Sequence, residues 1–147
     1  MEKLKEIIKK FKVNNGERIE FLVALYYTAY YRAFILFVPF NKLRKRMGNV
    51  KQESPEEETK EVYRTARHIS WVVRSVANRT PWESKCLVRA LTAQKMLKSR
   101  GISTTLYLGV KKEADEMKAH AWLRCGKIFV SGGENKNEYT VVAKFAN

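Results

Sequence analysis

Residues 80–110, TPWESKCLVRALTAQKMLKSRGISTTLYLGV, contain the change of periodicity that decides the fold. Before Gly101 the apolar side chains recur every three or four positions, which is typical of one face of a helix, and from Thr104 they follow the period of two of a strand. The helix is expected to begin at Thr80-Pro81-Trp82-Glu83 and to end at Gly101. Its apolar stripe comprises Leu87, Ala90, Leu91 and Leu97. The stretch therefore predicts a helix that leads into a β-sheet.

The rest of the C-terminal half has strand and turn patterns. Short strands are predicted at 104–110, 119–124, 127–130 and 139–145, with a polar loop at 111–118 and a tight hairpin turn at Gly126. Because helices precede these strands and the strands follow one another directly, we expect an α+β fold with a small antiparallel sheet.

The N-terminal half has helical patterns. Ser54-Pro55-Glu56-Glu57 predicts a helix start, and the stripe that follows comprises Val62, Ala66, Ile69, Val73 and Val76. Residues 41–48 predict a short basic helical turn closed by Gly48. At the N-terminus, an amphipathic helix that ends at Asn14-Asn15-Gly16 is predicted from Leu4, Ile7, Ile8 and Phe11. We expect a helical region at 1–48, a polar linker at 49–53 and a core at 54–147.

Residues 17–40 predict a long helix whose apolar part, 21–40, approaches the ~20 residues that cross a bilayer. Arg32 lies in its middle, and four tyrosines lie inside it rather than at its ends, unlike in membrane-spanning helices. Burial against the rest of the protein or a partner is therefore favoured over membrane association, and both alternatives stay open.

The composition describes a basic chain with a core of its own. It has 147 residues, a formal charge of +14 and 45% hydrophobic residues, which excludes the disordered and collagen-like classes. The charge attracts acidic peptides, anionic lipids or nucleic acid, but no RNA-binding aromatic motif or zinc-ligand pair accompanies it, so nucleic-acid binding is not expected. Two cysteines and no signal peptide predict a cytoplasmic protein.

Cys86 and His120 are the candidate catalytic pair. The start of a helix favours the thiolate form of a cysteine. On an extended strand His120 and Trp122 share one face and Ala121 the other, so the thiol and the imidazole can meet if the helix of Cys86 packs on the face of His120. A buried cysteine beside a packed histidine is an equally plausible interpretation. His68 is expected to be a structural helix histidine, and Cys125 a structural cysteine near a turn.

Several segments together resemble the transglutaminase-like, papain-related cysteine peptidases, in particular the leader peptidases of lasso-peptide biosynthesis. The segments are Glu17-Arg18, Pro39-Phe40, Pro81-Trp82, Cys86-Leu87-Val88-Arg89-Ala90-Leu91, Lys98-Ser99-Arg100-Gly101-Ile102, Leu106-Tyr107-Leu108-Gly109-Val110, Ala119-His120-Ala121-Trp122, Ser131-Gly132-Gly133 and Tyr139-Thr140-Val141-Val142. The ordered set, rather than any one motif, carries the resemblance.

The resemblance implies a role for each matched residue. Cys86 is the expected nucleophile and His120 its base, and the N–H of Cys86 helps to bind the oxyanion. The acidic third member of the family's triad falls where this chain has Ser131 or Gly132, so Glu134 is the candidate, with Ser131 or Asn135 as substitutes. Trp82 and Trp122 are expected to contact the substrate. No cofactor or metal is expected.

The resemblance also implies the biological setting. A precursor peptide is the substrate, and an ATP-dependent macrolactam synthetase closes the ring after the leader is removed. Because no recognition domain precedes Glu17, a separate leader-recognition protein is the expected partner. The same Cys/His core fits two alternatives, which are an acyl transferase and a binding module that has lost catalysis.

Overall fold

The computed structural model describes Glu2, Lys3, Lys5 and residues 15–147. The N-terminal amphipathic helix predicted from Leu4, Ile7, Ile8 and Phe11 lies outside the described residues. Within them, the helices are α1 (Asn15–Phe37), α2 (Phe40–Arg44), α3 (Lys60–Ala77) and α4 (Cys86–Lys98). The strands are β1 (Asn49–Val50), β2 (Thr105–Glu113), β3 (Glu116–Cys125), β4 (Ile128–Ser131) and β5 (Thr140–Ala146), with a 3-10 helix at Gly133–Glu138 between the last two.

The strands form one antiparallel sheet in the order β1-β5-β2-β3-β4, which confirms the predicted α+β class. Alternate residues of the central strands, such as Leu106 and Leu123, join the hydrophobic core with the apolar stripes of α3 and α4. Helix α1 packs against α3 and α4 on the side away from the sheet. The stripes predicted for α3 and α4 are buried, apart from Val62 and Leu87, which are partly buried.

The prediction of a polar loop at 111–118 is wrong. Strands β2 and β3 continue through it, and only Ala114 and Asp115 form the turn, both at positive φ. Salt bridges join Glu113 to Lys111 at 3.3 Å and to Lys118 at 3.4 Å. Opposite charges on paired strands stabilise a hairpin. Residues 111–118 lack the alternating apolar side chains from which strands are predicted.

Helices α3 and α4 both begin later than their capping signals predict. Ser54 instead hydrogen bonds to Thr105 of β2 through its N–H and its hydroxyl, at 2.8 and 2.7 Å. The cap of α3 is Thr59, whose side chain accepts from the N–H of Val62. Ser54, which the local sequence predicts to be the helix cap, therefore makes tertiary hydrogen bonds to the sheet instead.

Helix α1 ends at Phe37, two residues before Pro39, because proline disfavours helical conformation in the residue before it. Phe21, Ala24 and Tyr31 of α1 belong to the same hydrophobic core as the rest of the protein. By length and composition Gly16–Phe37 could cross a membrane, and 22% of this window is buried. The predicted linker 49–53 contributes β1 to the sheet.

Candidate active site

Cys86 is the first residue of α4. Lys85, with extended backbone, precedes it, and no side chain caps the helix. The first turn of a helix leaves its N–H groups without intrahelical partners. The sulfur of Cys86 and these N–H groups therefore lie together at the positively polarised end of α4.

The loop that precedes Cys86 is fixed to α1 at two points. The indole N–H of Trp82 donates to the hydroxyl of Thr28 at 3.3 Å, and Glu83 forms a salt bridge with Arg32 at 3.4 Å. Lys85 pairs with Glu83 at 2.8 Å, and this hydrogen bond lowers the pKa of Glu83 and raises the pKa of Lys85. Helix α1 thus helps to set the position of the nucleophile.

His120 lies on β3, opposite Gly109 of β2. Its ring stacks on Trp122, with centroids 5.7 Å apart, and contacts Tyr139 at 5.0 Å, so His120 and Trp122 share a face as predicted. Ala121 and Leu123 of the opposite face belong to the helix-packed core. The core to which α4 contributes therefore lies on the face of β3 opposite His120.

Cys86 and His120 nevertheless line one cavity of about 490 Å³. It opens beside β3 where the pairing with β4 ends, at Leu123 and Ser131. Beyond that point no strand of the described residues pairs with β3 on this side; the segment of Gly132 and the 3-10 helix contact it instead. Among the described residues, no hydrogen bond joins the thiol to the imidazole.

The carbonyl of Gly132 fixes the orientation of the imidazole. Nε2 of His120 lies 2.7 Å from this oxygen. Because a carbonyl oxygen only accepts, Nε2 must carry a proton, and in the neutral ring Nδ1 is then the acceptor. Gly132 has φ +70°, and a Cβ there would lie 2.5 Å from the carbonyl oxygen of Ala121. Only glycine fits this position without displacing its neighbours.

The candidates for the third member of the triad lie around this hydrogen bond without making it. Glu134 lines the cavity as an exposed residue of the 3-10 helix. Ser131 is paired with Leu123 at the end of β4, and Asn135 is exposed. In this structure the partner of His120 is therefore a main-chain carbonyl instead of a carboxylate, hydroxyl or amide. Sequence reasoning had no means of identifying a main-chain group, although the run Ser131-Gly132-Gly133 marked the segment.

The two tryptophans expected to contact the substrate lie outside the lining of this cavity. Trp82 joins the nucleophile loop to α1. Trp122 is 3% exposed and lies between the rings of Tyr107 and His120. Trp82 therefore anchors the loop before Cys86, and Trp122 packs against the ring of His120.

The remaining cysteine and histidine lie away from this cavity. Cys125 is fully buried, and burial, together with the charge of Glu58, raises the pKa of its thiol to about 11, so it is a neutral thiol at physiological pH. His68 on α3 bonds to Glu20 of α1, which also pairs with Arg100 at 2.6 Å. Both residues hold the fold together, as predicted.

The rim of the cavity is basic. Arg74, Lys85 and Arg89 line it, against the single acid Glu134. Arg89 is held by the carbonyl of Ser84 and the side chain of Asn78, both at 2.7 Å. Within the described part of the chain, no cluster of three His, Cys, Asp or Glu residues could hold a metal ion.

A cysteine at the start of a helix and an oriented histidine on the sheet thus line one cavity, and these are the two residue types that thiol catalysis uses. The sequence profile of the transglutaminase-like superfamily matches residues 34–144, from the last turn of α1 to β5. The chain therefore belongs to the transglutaminase-like superfamily, whose domains often carry cysteine peptidase or acyltransferase activity. No curated protein and no solved structure gives a significant match.

Proposed function

We propose that this protein is a cysteine peptidase that removes the leader from a ribosomally synthesised precursor of the lasso-peptide type. The main support is the cavity shared by Cys86 and His120, in which the hydrogen bond to Gly132 leaves Nδ1 of the imidazole free to accept a proton. The resemblance of the segments around both residues to the leader peptidases supports the choice of substrate.

The reaction starts when Nδ1 of His120 takes the proton of the Cys86 thiol and the sulfur attacks the scissile carbonyl carbon. The N–H of Cys86 donates to the developing oxyanion. The C–N bond breaks, the imidazolium returns its proton to the leaving amine, and a thioester remains on Cys86. Water then adds with His120 as base, which releases the leader carboxylate and the thiol.

The partners in this proposal are the precursor, a separate leader-recognition protein and an ATP-dependent macrolactam synthetase. Hydrolysis frees the amine that the synthetase joins to a side-chain carboxylate. The protein would act in the cytoplasm, where the precursor is made.

The test incubates a lasso-type precursor peptide and its leader-recognition protein with wild-type or Cys86→Ala protein. We expect two free peptides with wild type and intact precursor with Cys86→Ala, as measured by mass spectrometry. His120→Gln should also lose activity, whereas Cys125→Ala should retain it.

The other outcomes identify the alternatives. A product in which the acyl part is joined to an added amine would show acyl transfer. Equal processing with wild type and Cys86→Ala would show that the chain does not catalyse the cleavage, and the peptidase proposal would be abandoned.

A further inference from the structure

A second cavity, of about 540 Å³, lies at the far end of α4 from Cys86, between α1, the turn after α2 and the last turn of α4. Four tyrosines of α1 form one wall: Tyr26, Tyr27, Tyr30 and Tyr31. Three lysines line the opening: Lys45, Lys95 and Lys98. We call this cavity the tyrosine–lysine cleft.

The tyrosine wall offers ring faces. Tyr26 stacks on Tyr30 with ring planes 19° apart, and Tyr27 stacks on Tyr31 at 28°. Tyr26 is 62% exposed, although a ring of this size gains free energy from burial. The base of the wall is fixed, because Tyr31 is 5% exposed and Arg46 donates to the hydroxyl of Tyr30 at 2.7 Å. The wall is therefore fixed at Tyr30 and Tyr31 and has an exposed ring at Tyr26.

The described side chains that line the cleft include lysines and an arginine but no acidic side chain. Among the described residues, none of its three lysines forms a salt bridge. Lysines 85, 111, 118, 127 and 144 elsewhere in the chain do pair with acids. Three ammonium groups that converge without an acid favour an anionic ligand.

Carboxylates fit this cleft better than phosphates do. Proteins bind phosphates at helix N-termini and with bidentate arginines. Here Lys95 and Lys98 lie at the C-terminal end of α4, where the main-chain carbonyls repel a doubly charged group, and Arg46 is engaged by Tyr30 and Phe34. Flexible, singly charged ammonium groups match the separate carboxylates of a peptide.

We propose that the tyrosine–lysine cleft binds an acidic segment of the substrate peptide that carries an aromatic side chain; this inference rests on the proposed peptidase function. Lys95 and Lys98 follow Cys86 on one helix by about 14 and 18 Å at ~1.5 Å per residue. About four to six extended residues at ~3.3 Å each equal that distance along the helix axis. A substrate peptide longer than this has the length to reach from the cleft to Cys86.

The test measures binding without cleavage. A fluorescein-labelled decapeptide of alternating glutamate and tyrosine is titrated with the full-length protein, and fluorescence anisotropy gives Kd. The double variant Lys95→Gln, Lys98→Gln should raise Kd about tenfold at low salt, as expected for lost charge pairs. The matched control removes two exposed lysines outside the cleft, Lys60→Gln and Lys112→Gln, and should change Kd by less than about twofold.

Tyr26→Ala tests the aromatic wall. It should weaken binding of the glutamate–tyrosine peptide about fivefold, in proportion to one lost ring contact, and leave a glutamate–alanine decapeptide unaffected. Circular dichroism and thermal unfolding verify that each variant is folded.

Three results would overturn the inference: no binding of the acidic peptide, equal effects of the cleft and control variants, or displacement by poly(U) at lower concentration than by unlabelled peptide, which would assign the cleft to nucleic acid. Failure of binding with intact cleavage contradicts only the cleft. Binding that depends on Lys95 and Lys98 in a protein that cleaves nothing supports the cleft and contradicts the peptidase.

Discussion

At the scale of single residues, the ability of His120 to act as a base toward Cys86 depends on which of its two ring nitrogens carries the proton. A carboxylate in the usual triad also stabilises the imidazolium, whereas the carbonyl of Gly132 supplies a hydrogen bond and a partial charge only. We therefore expect the orientation of the base to be retained and its charge stabilisation to be weaker. An acid at a sequence position is visible in the sequence, but a main-chain carbonyl is not, which is why Glu134 was the candidate.

Replacement of Gly132 by alanine tests whether this carbonyl orients the base. The added Cβ would lie 2.5 Å from the carbonyl oxygen of Ala121 and 3.2 Å from Nε2 of His120, so the main chain must move. A shift of this kind at a catalytic group lowers kcat/KM by about 100-fold. Steady-state cleavage of the precursor measures it.

Gly101→Ala is the matched control. Gly101 has φ +74°, close to the +70° of Gly132, but no atom lies within 4 Å of its Cβ position. Both variants carry the ~1–2 kcal/mol strain of a left-handed alanine, and only Gly132→Ala disturbs His120. Equal kcat/KM in the two variants would show that the Gly132 carbonyl has no positioning role.

At the scale of elements, the type of the longer helices and strands could be predicted, whereas strand β1, the 3-10 helix and several boundaries could not. The helix start predicted at Thr80-Pro81-Trp82-Glu83 is displaced to Cys86, because the hydroxyl of Thr80 bonds to Ser84 and to the carbonyl of Trp82 instead. This displacement puts Cys86 at the very start of α4. The competing hydrogen bonds of Thr80 are local, whereas the contact that overrides the capping signal of Ser54 joins it to Thr105, 51 positions away.

The turn of the β2–β3 hairpin could not be predicted from local sequence either. Ala114 and Asp115 adopt φ values of 50° and 67°, which Asn and Gly favour and alanine does not. The turn therefore carried no recognisable signal, and the strands around it were predicted as a loop. The cross-strand salt bridge between Glu113 and Lys118 stabilises the hairpin in spite of its unfavourable turn residue.

Replacement of Ala114 by asparagine should stabilise the protein. Asparagine tolerates the left-handed region, so the variant relieves part of the strain at Ala114, about 1 kcal/mol, which corresponds to a rise in Tm of roughly 2–4 °C. Differential scanning calorimetry measures the change. The control is Ala119→Asn on β3, where φ is not positive. This variant should lower Tm or leave it unchanged, because asparagine is depleted in strands. A lower Tm for Ala114→Asn would contradict the account of the turn.

At the scale of the whole molecule, α1 connects the two candidate sites. It fixes the loop before Cys86 at one place and forms the tyrosine wall at another. The sequence predicted a long apolar helix at 17–40, but not which of its residues would be buried. Leu36 and Phe37 at the end of α1 and Phe40 at the start of α2 are exposed, by 56%, 83% and 51%. Docking of this helix on a partner protein or on a membrane stays a prediction.

A tyrosine of the same helix, Tyr31, should make the stability of the molecule fall as pH rises in the alkaline range. Burial, followed by the neighbouring Tyr30 and Tyr27, raises the pKa of Tyr31 from 10.0 to about 12. The folded state therefore disfavours the phenolate, and the unfolded chain releases the proton first as pH rises. The stabilising contribution is complete below about pH 9 and is lost between pH 10 and 12, at up to about 1.4 kcal/mol per pH unit.

Tyr31→Phe removes the ionisable hydroxyl and keeps the ring. The free energy of unfolding of this variant minus that of wild type should be constant from pH 7 to 9 and should increase steadily from pH 10 to 11.5, because only wild type loses stability there. Urea unfolding at each pH measures this difference. Tyr26→Phe makes the same chemical change on a ring that is 62% exposed, and its pH dependence should follow that of wild type. Parallel curves for wild type and Tyr31→Phe up to pH 11.5 would mean that the hydroxyl of Tyr31 meets solvent, and that α1 does not pack against α3 and α4 as tightly as the structure shows.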